Sequence, residues 1–349
     1  MKILSICIPT YNRLAELSEL VDQLLELDRH DFEIVITDNV STDGTPEKYQ
    51  SHPDQRVRYC RNACALPPFM NMIHSIFNAS GKYALYCNDR DLVHRDQLPA
   101  LMDILACNEF AFVHGPARMR NSSGTLKVFE KGFDSLSNHS FIHHPTGMIY
   151  NRELIAQHLH EEDYEQYIAC INTYDFLMLD LFQYGKSAKY YAGYWSSRPS
   201  EYISKHKSGT GMADVSKLYF SPEMRERMFY GIMGHVFLDN DYQMNLNQKA
   251  IVANKLYMNF AALFSKYKAC MSDPHETAHY GLVPARIPTN QIVKVFNAFF
   301  DRSSQWMTEK GFDDLIIRGS KKRRLQYSKQ VVVSCFKIDA YNLLRKIKR

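Results

Sequence analysis

Short apolar runs alternate with segments of helical periodicity through the first 115 residues. Ile3–Ile8 reads as a buried strand ending at Pro9. Leu14, Leu17, Leu20, Val21, Leu24 and Leu27 then recur at helical spacing. Phe32–Thr37 is a second apolar run, closed by Asp38, and Thr45-Pro46-Glu47 has the form of a helix start. Arg56–Cys60 reads as a third strand and Pro68–Asn78 as a helix stopped near Gly81. Lys82–Cys87 is a fourth strand leading into Asn88-Asp89-Arg90-Asp91, followed by a helix at Leu98–Ala106 and a strand at Phe110–His114. This alternation predicts an α/β fold, a mainly parallel sheet flanked by helices. Ligands of such sheets bind beyond the carboxyl ends of the strands. The polar residues after Ile8, Thr37 and Cys87 are therefore the first place to seek chemistry.

The pattern is mixed from about 116 to 205, with a strand at Gly147–Tyr150, helices at Arg152–His158 and Tyr174–Tyr184, and an aromatic strand at Lys189–Trp195. From about 212 onward the periodic segments read as helices, for example Met224–Leu238 and Lys249–Lys266. A boundary is expected near 211, in Ser208-Gly209-Thr210-Gly211, separating residues 1–211 from a helical C-terminal region, 212–349.

Composition narrows the class. With 349 residues, 45% hydrophobic and 23% charged, the chain is that of a globular protein. It has no apolar run of membrane-spanning length and no convincing signal peptide, which points to the cytoplasm. Its eight cysteines are scattered, as expected of free thiols in a reducing compartment. The net charge of +4 hides an asymmetry: residues 321–349 hold ten Lys/Arg against Asp339 alone, so the rest of the chain sums to −5. Val332, Phe336, Ala340, Leu343, Leu344 and Ile347 fall on one helical stripe of that tail, with Lys337, Arg345, Lys348 and Arg349 largely off it. Such a helix suits peripheral contact with an anionic membrane surface; a terminal helix packed on the body fits the pattern equally well. Confinement of the basic charge to the tail argues against a nucleic-acid partner.

Three strand ends carry candidate chemistry. Thr10 and Tyr11 of Pro9-Thr10-Tyr11-Asn12-Arg13 can meet a base, and Arg13 a phosphate; a simple turn before a helix also explains them. Asp38, opening Asp38-Asn39-Val40-Ser41-Thr42-Asp43-Gly44-Thr45, can accept from a nucleobase or ribose, or shape an Asx turn and helix cap. Asp89 and Asp91, flanking Arg90, suit Mg²⁺ or Mn²⁺ shared with substrate phosphates, or form a solvated turn.

In this order, together with Arg61-Asn62, Asn71 and Ala79–Tyr83, these segments resemble the family 2 glycosyltransferases of the GT-A fold. The resemblance is strong over about residues 3–105 and weaker to about 206. It implies that Pro9, Thr10, Tyr11, Asp38, Asp43 and Asn71 belong to the donor site and that Arg13 lies near the diphosphate. Asp89 and Asp91 match the outer carboxylates of the DxD motif, with Asp91 the direct ligand of Mn²⁺ or Mg²⁺. Asn88 and Arg90 stand where the family usually has aspartates, and Cys64 where it commonly has glycine. Asp175, in Thr173-Tyr174-Asp175-Phe176, matches the carboxylate that takes the acceptor proton; helix capping is the competing role. Glu161-Glu162-Asp163 reads as an exposed acidic loop. His143-His144-Pro145-Thr146-Gly147 resembles a segment lining the acceptor side. Tyr202–Gly209 resembles a loop over the diphosphate, with His206 completing the metal shell and Lys207 binding phosphate. The implied activity is inverting transfer of a sugar from a nucleotide-diphosphate donor to a hydroxyl of a glycan or lipid-linked acceptor, in bacterial surface-polysaccharide synthesis. A catalytically inactive binding relative and a nucleotidyltransferase are the alternatives; the latter would carry a glycine-rich, lysine-bearing loop after the first strand.

Overall fold

A computed structural model describes residues 2–117, 123–139, 144–170, 173–198, 217–240, 242–312 and 320–347. The chain forms two compact units, Met1–Pro199 and Ser200–Arg349; position 211, the expected boundary, lies outside the described residues.

The first unit is built on an eight-stranded sheet. In chain order its elements begin with β1 (Leu4–Thr10), α1 (Leu14–Leu25), β2 (Phe32–Asp38), α2 (Thr45–Tyr49), β3 (Val57–Arg61), α3 (Pro68–Phe77) and β4 (Tyr83–Tyr86). They continue with β5 (Asp91–Val93), α4 (Leu98–Ala106), β6 (Phe110–His114), β7 (Leu126–Phe129), α5 (Phe133–Asn138), β8 (Ile149–Asn151) and α6 (Arg152–His158). A 3₁₀ helix (Glu161–Cys170), α7 (Thr173–Leu181), β9 (Lys186–Tyr190) and β10 (Trp195–Ser197) complete the unit.

The spatial order is β3-β2-β1-β4-β8-β6-β9-β7. β3, β2, β1 and β4 run parallel, as expected for strands joined by helical crossovers. β8 enters antiparallel between β4 and β6, which itself pairs in parallel with β9. β1 and β2 are buried almost throughout, and Leu17, Leu20, Val21 and Leu24 of α1 pack into the same core. This explains why both strands read as continuous apolar runs.

The expected strand at Lys189–Trp195 is in fact two. The chain turns at Gly193, where φ is +65°, and Trp195–Ser197 leaves the main sheet to pair antiparallel with β5. β7 and α5 carried no clear sequence signal. β7 is a short edge strand with its middle residues exposed, so no apolar alternation marks it.

The second unit is helical: α8 (Pro222–Gly234) runs into a π turn (His235–Asp239), then follow α9 (Leu246–Ser272), α10 (Pro274–His279), α11 (Thr289–Glu309) and α12 (Ser320–Ile347). A reciprocal capping box between Asn245 and Gln248 starts α9. Phe229, Tyr257, Phe260, Phe299 and Tyr327 form an aromatic core. α12 packs through Tyr327, Val331 and Cys335, all fully buried, with Tyr327 Oη donating to Asn254 Oδ1 at 2.7 Å. Of the predicted stripe, Val332 is half-buried, Phe336 is 64% exposed and Ala340 is exposed, while the side chains of Leu343, Leu344 and Ile347 lie outside the described residues. No described helix is long and apolar enough to cross a membrane.

Candidate active site

Parallel pairing in register sets Thr10 at the end of β1 beside Asp38 at the end of β2. Beyond them the chain takes two unusual turns, Asn12 at φ +50° and Val40 at φ +67°. Positive φ is costly for a β-branched residue, and local bonds hold it here. Ser41 N donates to Asp38 Oδ1 at 2.9 Å, and Asn12 N donates to Ser41 Oγ at 2.9 Å, locking the two loops together.

Asp38 is fully buried, and its Oδ2 accepts from Tyr59 Oη at 2.5 Å and Arg61 Nη1 at 2.8 Å. Burial, reinforced by the bond to Asp38, pushes the Tyr59 phenol up to about 12, so it stays a donor. Tyr59 and Arg61 lie two apart on β3, on one face. Tyr11 stands 53% exposed beside Thr10, an aromatic face open to stacking.

Asp43 is engaged in bonds within the loops. Its oxygens accept from Leu14 N at 2.8 Å and from Thr45 Oγ1 at 2.6 Å, which caps the start of α1. Burial works to raise its pKa, but these bonds outweigh it and the net shift is downward. Asn71 is likewise engaged: its Oδ1 accepts from Asn62 Nδ2 at 2.8 Å, and the same amide reaches Asn39 Oδ1 at 2.9 Å. This asparagine chain fastens the loop between β3 and α3, where Leu66 N also donates to Asn39. Pro9 is half-buried within β1.

At the end of β4 the two motif carboxylates are buried, Asp89 at 2% and Asp91 at 1% exposure. Asp89 accepts from Arg13 Nη1 on both oxygens at 3.2 Å and from Thr10 Oγ1 at 3.0 Å. Burial raises its pKa all the same, against the opposing pull of Arg13, Thr10 and Arg90. Asp91 Oδ2 accepts from Thr146 Oγ1 at 2.5 Å and Asn88 Nδ2 at 2.8 Å, with His144 Nε2 at 3.7 Å. No donor among the described residues reaches its Oδ1. Arg90 makes no hydrogen bond or ion pair among the described residues.

Among the described residues no three His, Cys, Asp or Glu side chains converge into a complete metal shell. A divalent cation held against a diphosphate needs only one or two protein donors. Asp91, with an oxygen that no described donor reaches and an imidazole nearby, fits that demand; Asp89, with both oxygens occupied by Arg13, fits it less directly. His206 and Lys207, expected to complete this region, lie outside the described residues, as does His143.

Asp175 opens α7 and is fully buried. It lies close enough to Tyr150 to raise that phenol's pKa further, after burial, the larger cause. Of the neighbouring acids, Glu161 pairs with His74 at 2.7 Å, while Glu162 and Asp163 are exposed, on a 3₁₀ helix rather than a loop. Sequence reasoning missed the Tyr59–Asp38 contact and the place of His144 and Thr146 beside Asp91. The first had a signal, alternate residues on β3; the second depends on β8 entering next to β4.

The profile of Glycosyl transferase family 2 matches residues 5–159. Abequosyltransferase RfbV of Salmonella typhimurium is 35% identical over 108 residues, 30% of this chain and 32% of that protein. A GalNAc(5)-diNAcBac-PP-undecaprenol beta-1,3-glucosyltransferase of Campylobacter jejuni is 29% identical over 139 residues, 38% of this chain and 44% of that protein. The chain thus spans less than half the length of these relatives. S. aureus TarS 1–349, solved with UDP, superposes with a TM-score of 0.57 at 14% identity, covering 98% of this chain and 92% of that one. The same TarS fragment with UDP-GlcNAc gives a TM-score of 0.57 at 16% identity, with the same coverage. Residues 5–159 of the chain thus match the model of Glycosyl transferase family 2, and the fold is of the GT-A kind seen in TarS.

Proposed function

We propose that the chain transfers a sugar, with inversion, from a nucleoside-diphosphate donor to a hydroxyl of a glycan or lipid-linked acceptor. The observation that supports this best is the convergence of Thr10, Asp38 with Tyr59 and Arg61, and Asp89–Asp91 at the carboxyl ends of adjacent parallel strands. In this reading Tyr11 stacks on the base, and Asp38, held by its two donors, meets an imide or ribose hydroxyl. Arg13 and Arg90 bring positive charge to the diphosphate. Asp91 holds Mn²⁺ or Mg²⁺, which when bound supplies charge stabilisation to the leaving diphosphate. Asp175 takes the proton of the acceptor hydroxyl as the hydroxyl oxygen attacks the anomeric carbon, and the diphosphate leaves from the opposite face.

The names of the relatives, one an undecaprenol-linked glucosyltransferase, support a role in bacterial surface-polysaccharide synthesis at the cytoplasmic face of the membrane. The exposed basic and apolar face of α12 supports peripheral contact with that surface. The test is calorimetric titration with UDP, CDP, GDP and dTDP, with and without Mn²⁺, in wild type and Asp91→Ala. Metal-dependent binding of one nucleotide, abolished in the variant, is expected. Wild-type affinity in Asp91→Ala would remove the metal assignment; the absence of donor hydrolysis or transfer despite binding would favour an inactive relative.

A further inference from the structure

We propose that Asn88 is a positioning residue: its side-chain amide, braced by Tyr86 and Thr146, holds one oxygen of Asp91 and turns the other to the divalent cation. This rests on the metal-assisted reading above and deepens it.

The polarity of each bond in the brace is set by its neighbours. Tyr86 Oη donates to Asn88 Oδ1 at 2.8 Å, which leaves the amide nitrogen on the opposite side. Asn88 Nδ2 donates to Asp91 Oδ2 at 2.8 Å and to Thr146 Oγ1 at 3.1 Å. A flipped amide would set its oxygen against the Asp91 carboxylate, two acceptors face to face. Thr146 Oγ1 also accepts from Asn88 N at 3.1 Å, so its single proton goes to Asp91 Oδ2, at 2.5 Å. Oδ2 therefore takes two donors, while no described donor reaches Oδ1.

The sheet brings these partners together. Tyr86 N donates to Met148 O at 2.8 Å and Gly147 N to Tyr86 O at 2.9 Å, so the segment entering β8 runs beside the end of β4 and sets Thr146 next to Asn88. Gly147 holds φ at +90°, and a Cβ there would lie 2.2 Å from Trp195 Cδ1, so this close approach requires glycine. Asp91 N donates to Asn88 O at 3.0 Å, closing the turn that aligns the two side chains.

An aspartate at position 88 could accept from Tyr86 but could not donate to Asp91. Two like charges would then face each other where one hydrogen bond stands. The amide supplies the donor and adds no charge. Asp89 is committed to Arg13 through both oxygens, so the demand on the rotation of Asp91 is the greater. Partners that orient a ligating side chain in this way typically contribute about 10–100-fold to metal affinity.

The test is calorimetric titration of Mn²⁺ into the full chain with UDP, CDP, GDP or dTDP in turn. Asn88→Leu, of similar size, removes the amide; Asn88→Asp keeps the acceptor for Tyr86 and removes the donor to Asp91. Both are expected to bind Mn²⁺ about 10–100-fold more weakly. Asn88→Leu should keep the metal-free nucleotide affinity of the wild type. Wild-type Mn²⁺ affinity in either folded variant would overturn the assignment and leave the metal reading intact. A loss of metal-free nucleotide binding in Asn88→Leu as large as its loss of Mn²⁺ would make the residue a support of the turn alone, and would overturn it too. Failure of the wild type to bind Mn²⁺ with any nucleotide, or undiminished Mn²⁺ affinity in Asp91→Ala, would overturn both readings.

Discussion

β2 carries a buried carboxylate near each end. Near its start, Glu33 accepts from Ser5 Oγ at 2.6 Å, Ser80 N and Oγ at 2.8 Å, and Lys2 Nζ at 2.8 Å, with Arg58 at 3.4 Å. At its end, Asp38 is held by Tyr59, Arg61 and Ser41 N. Both side chains have no solvent exposure. The difference is in what surrounds them. Glu33 joins the start of β1 to the loop before β4 and to β3, an inward-facing knot. Asp38 is bracketed by loops bent at positive φ and by the exposed ring of Tyr11. Satisfied buried charge therefore does not mark a site by itself; the open loops on one side of it do.

The sharpest way to break this contrast is to change a residue proposed for chemistry and look for a structural effect. Asp175→Asn keeps shape and most hydrogen bonding but cannot accept a proton at neutral pH. Transfer measured in a single turnover should fall by roughly 10²–10⁴-fold, with nucleotide affinity and melting temperature nearly unchanged. Asparagine caps a helix about as well as aspartate, so near-wild-type transfer would identify Asp175 as a cap and hand the base role to another carboxylate, Asp163 being the nearest in sequence to weigh.

The converse change is Glu33→Gln. Burial opposes ionisation of Glu33, yet Lys2, Ser5 and Ser80 overcome it and bring its pKa down to about 2 from 4.5. A carboxylate depressed in the folded state stabilises the fold fully above its unfolded pKa and loses that contribution as pH falls toward its folded value. The shift corresponds to about 3 kcal/mol at neutral pH. Denaturant titration should show a loss of about that size at pH 7 and little difference between variant and wild type near pH 2. Nucleotide binding should be unaffected, whereas Asp38→Asn should weaken it about tenfold with less effect on stability. If Glu33→Gln abolished binding and spared the fold, the two ends would have been read the wrong way round.

The strand ends were legible because each motif is local: Thr10 follows β1 directly, Asp38 closes β2, and Asp89 follows β4. Their partners were not. Tyr59, Thr146, His144 and Trp195 reach the site through pairings set by sheet order, above all the antiparallel entry of β8 and the pairing of β5 with β10. Glu33 was hidden inside an apolar run because a strand buried on both faces does not alternate. Asp43 and Asn71 show that one residue can serve both readings. Their residue types suit ligand binding, but the same oxygens suit caps and turns, and here they are used for both loops' internal bonds.

α12 repeats the contrast on one helix, with a covered face and an open one. Apolar residues recur on both, so periodicity could not say which would pack. Tyr327, Val331 and Cys335 are covered, while Leu325, Val333, Phe336 and Tyr341 are 58%, 47%, 64% and 64% exposed. Exposed Lys322, Lys329 and Lys337 lie among the latter. Deleting residues 321–349 would strip the covered face from the aromatic core and confound any membrane assay with unfolding. The triple variant Leu325→Ser, Phe336→Ser, Tyr341→Ser changes the open face alone. Its melting temperature should match wild type, since none of the three is in the core. Sedimentation with vesicles of anionic phospholipid should show adsorption reduced by roughly fivefold, because partial insertion of three apolar side chains contributes about 1 kcal/mol beyond the charge attraction. Raising the salt should weaken wild type and variant alike, since the lysines remain. Unchanged adsorption in the variant would leave only charge attraction, and a lower melting temperature would show that this face, too, is covered.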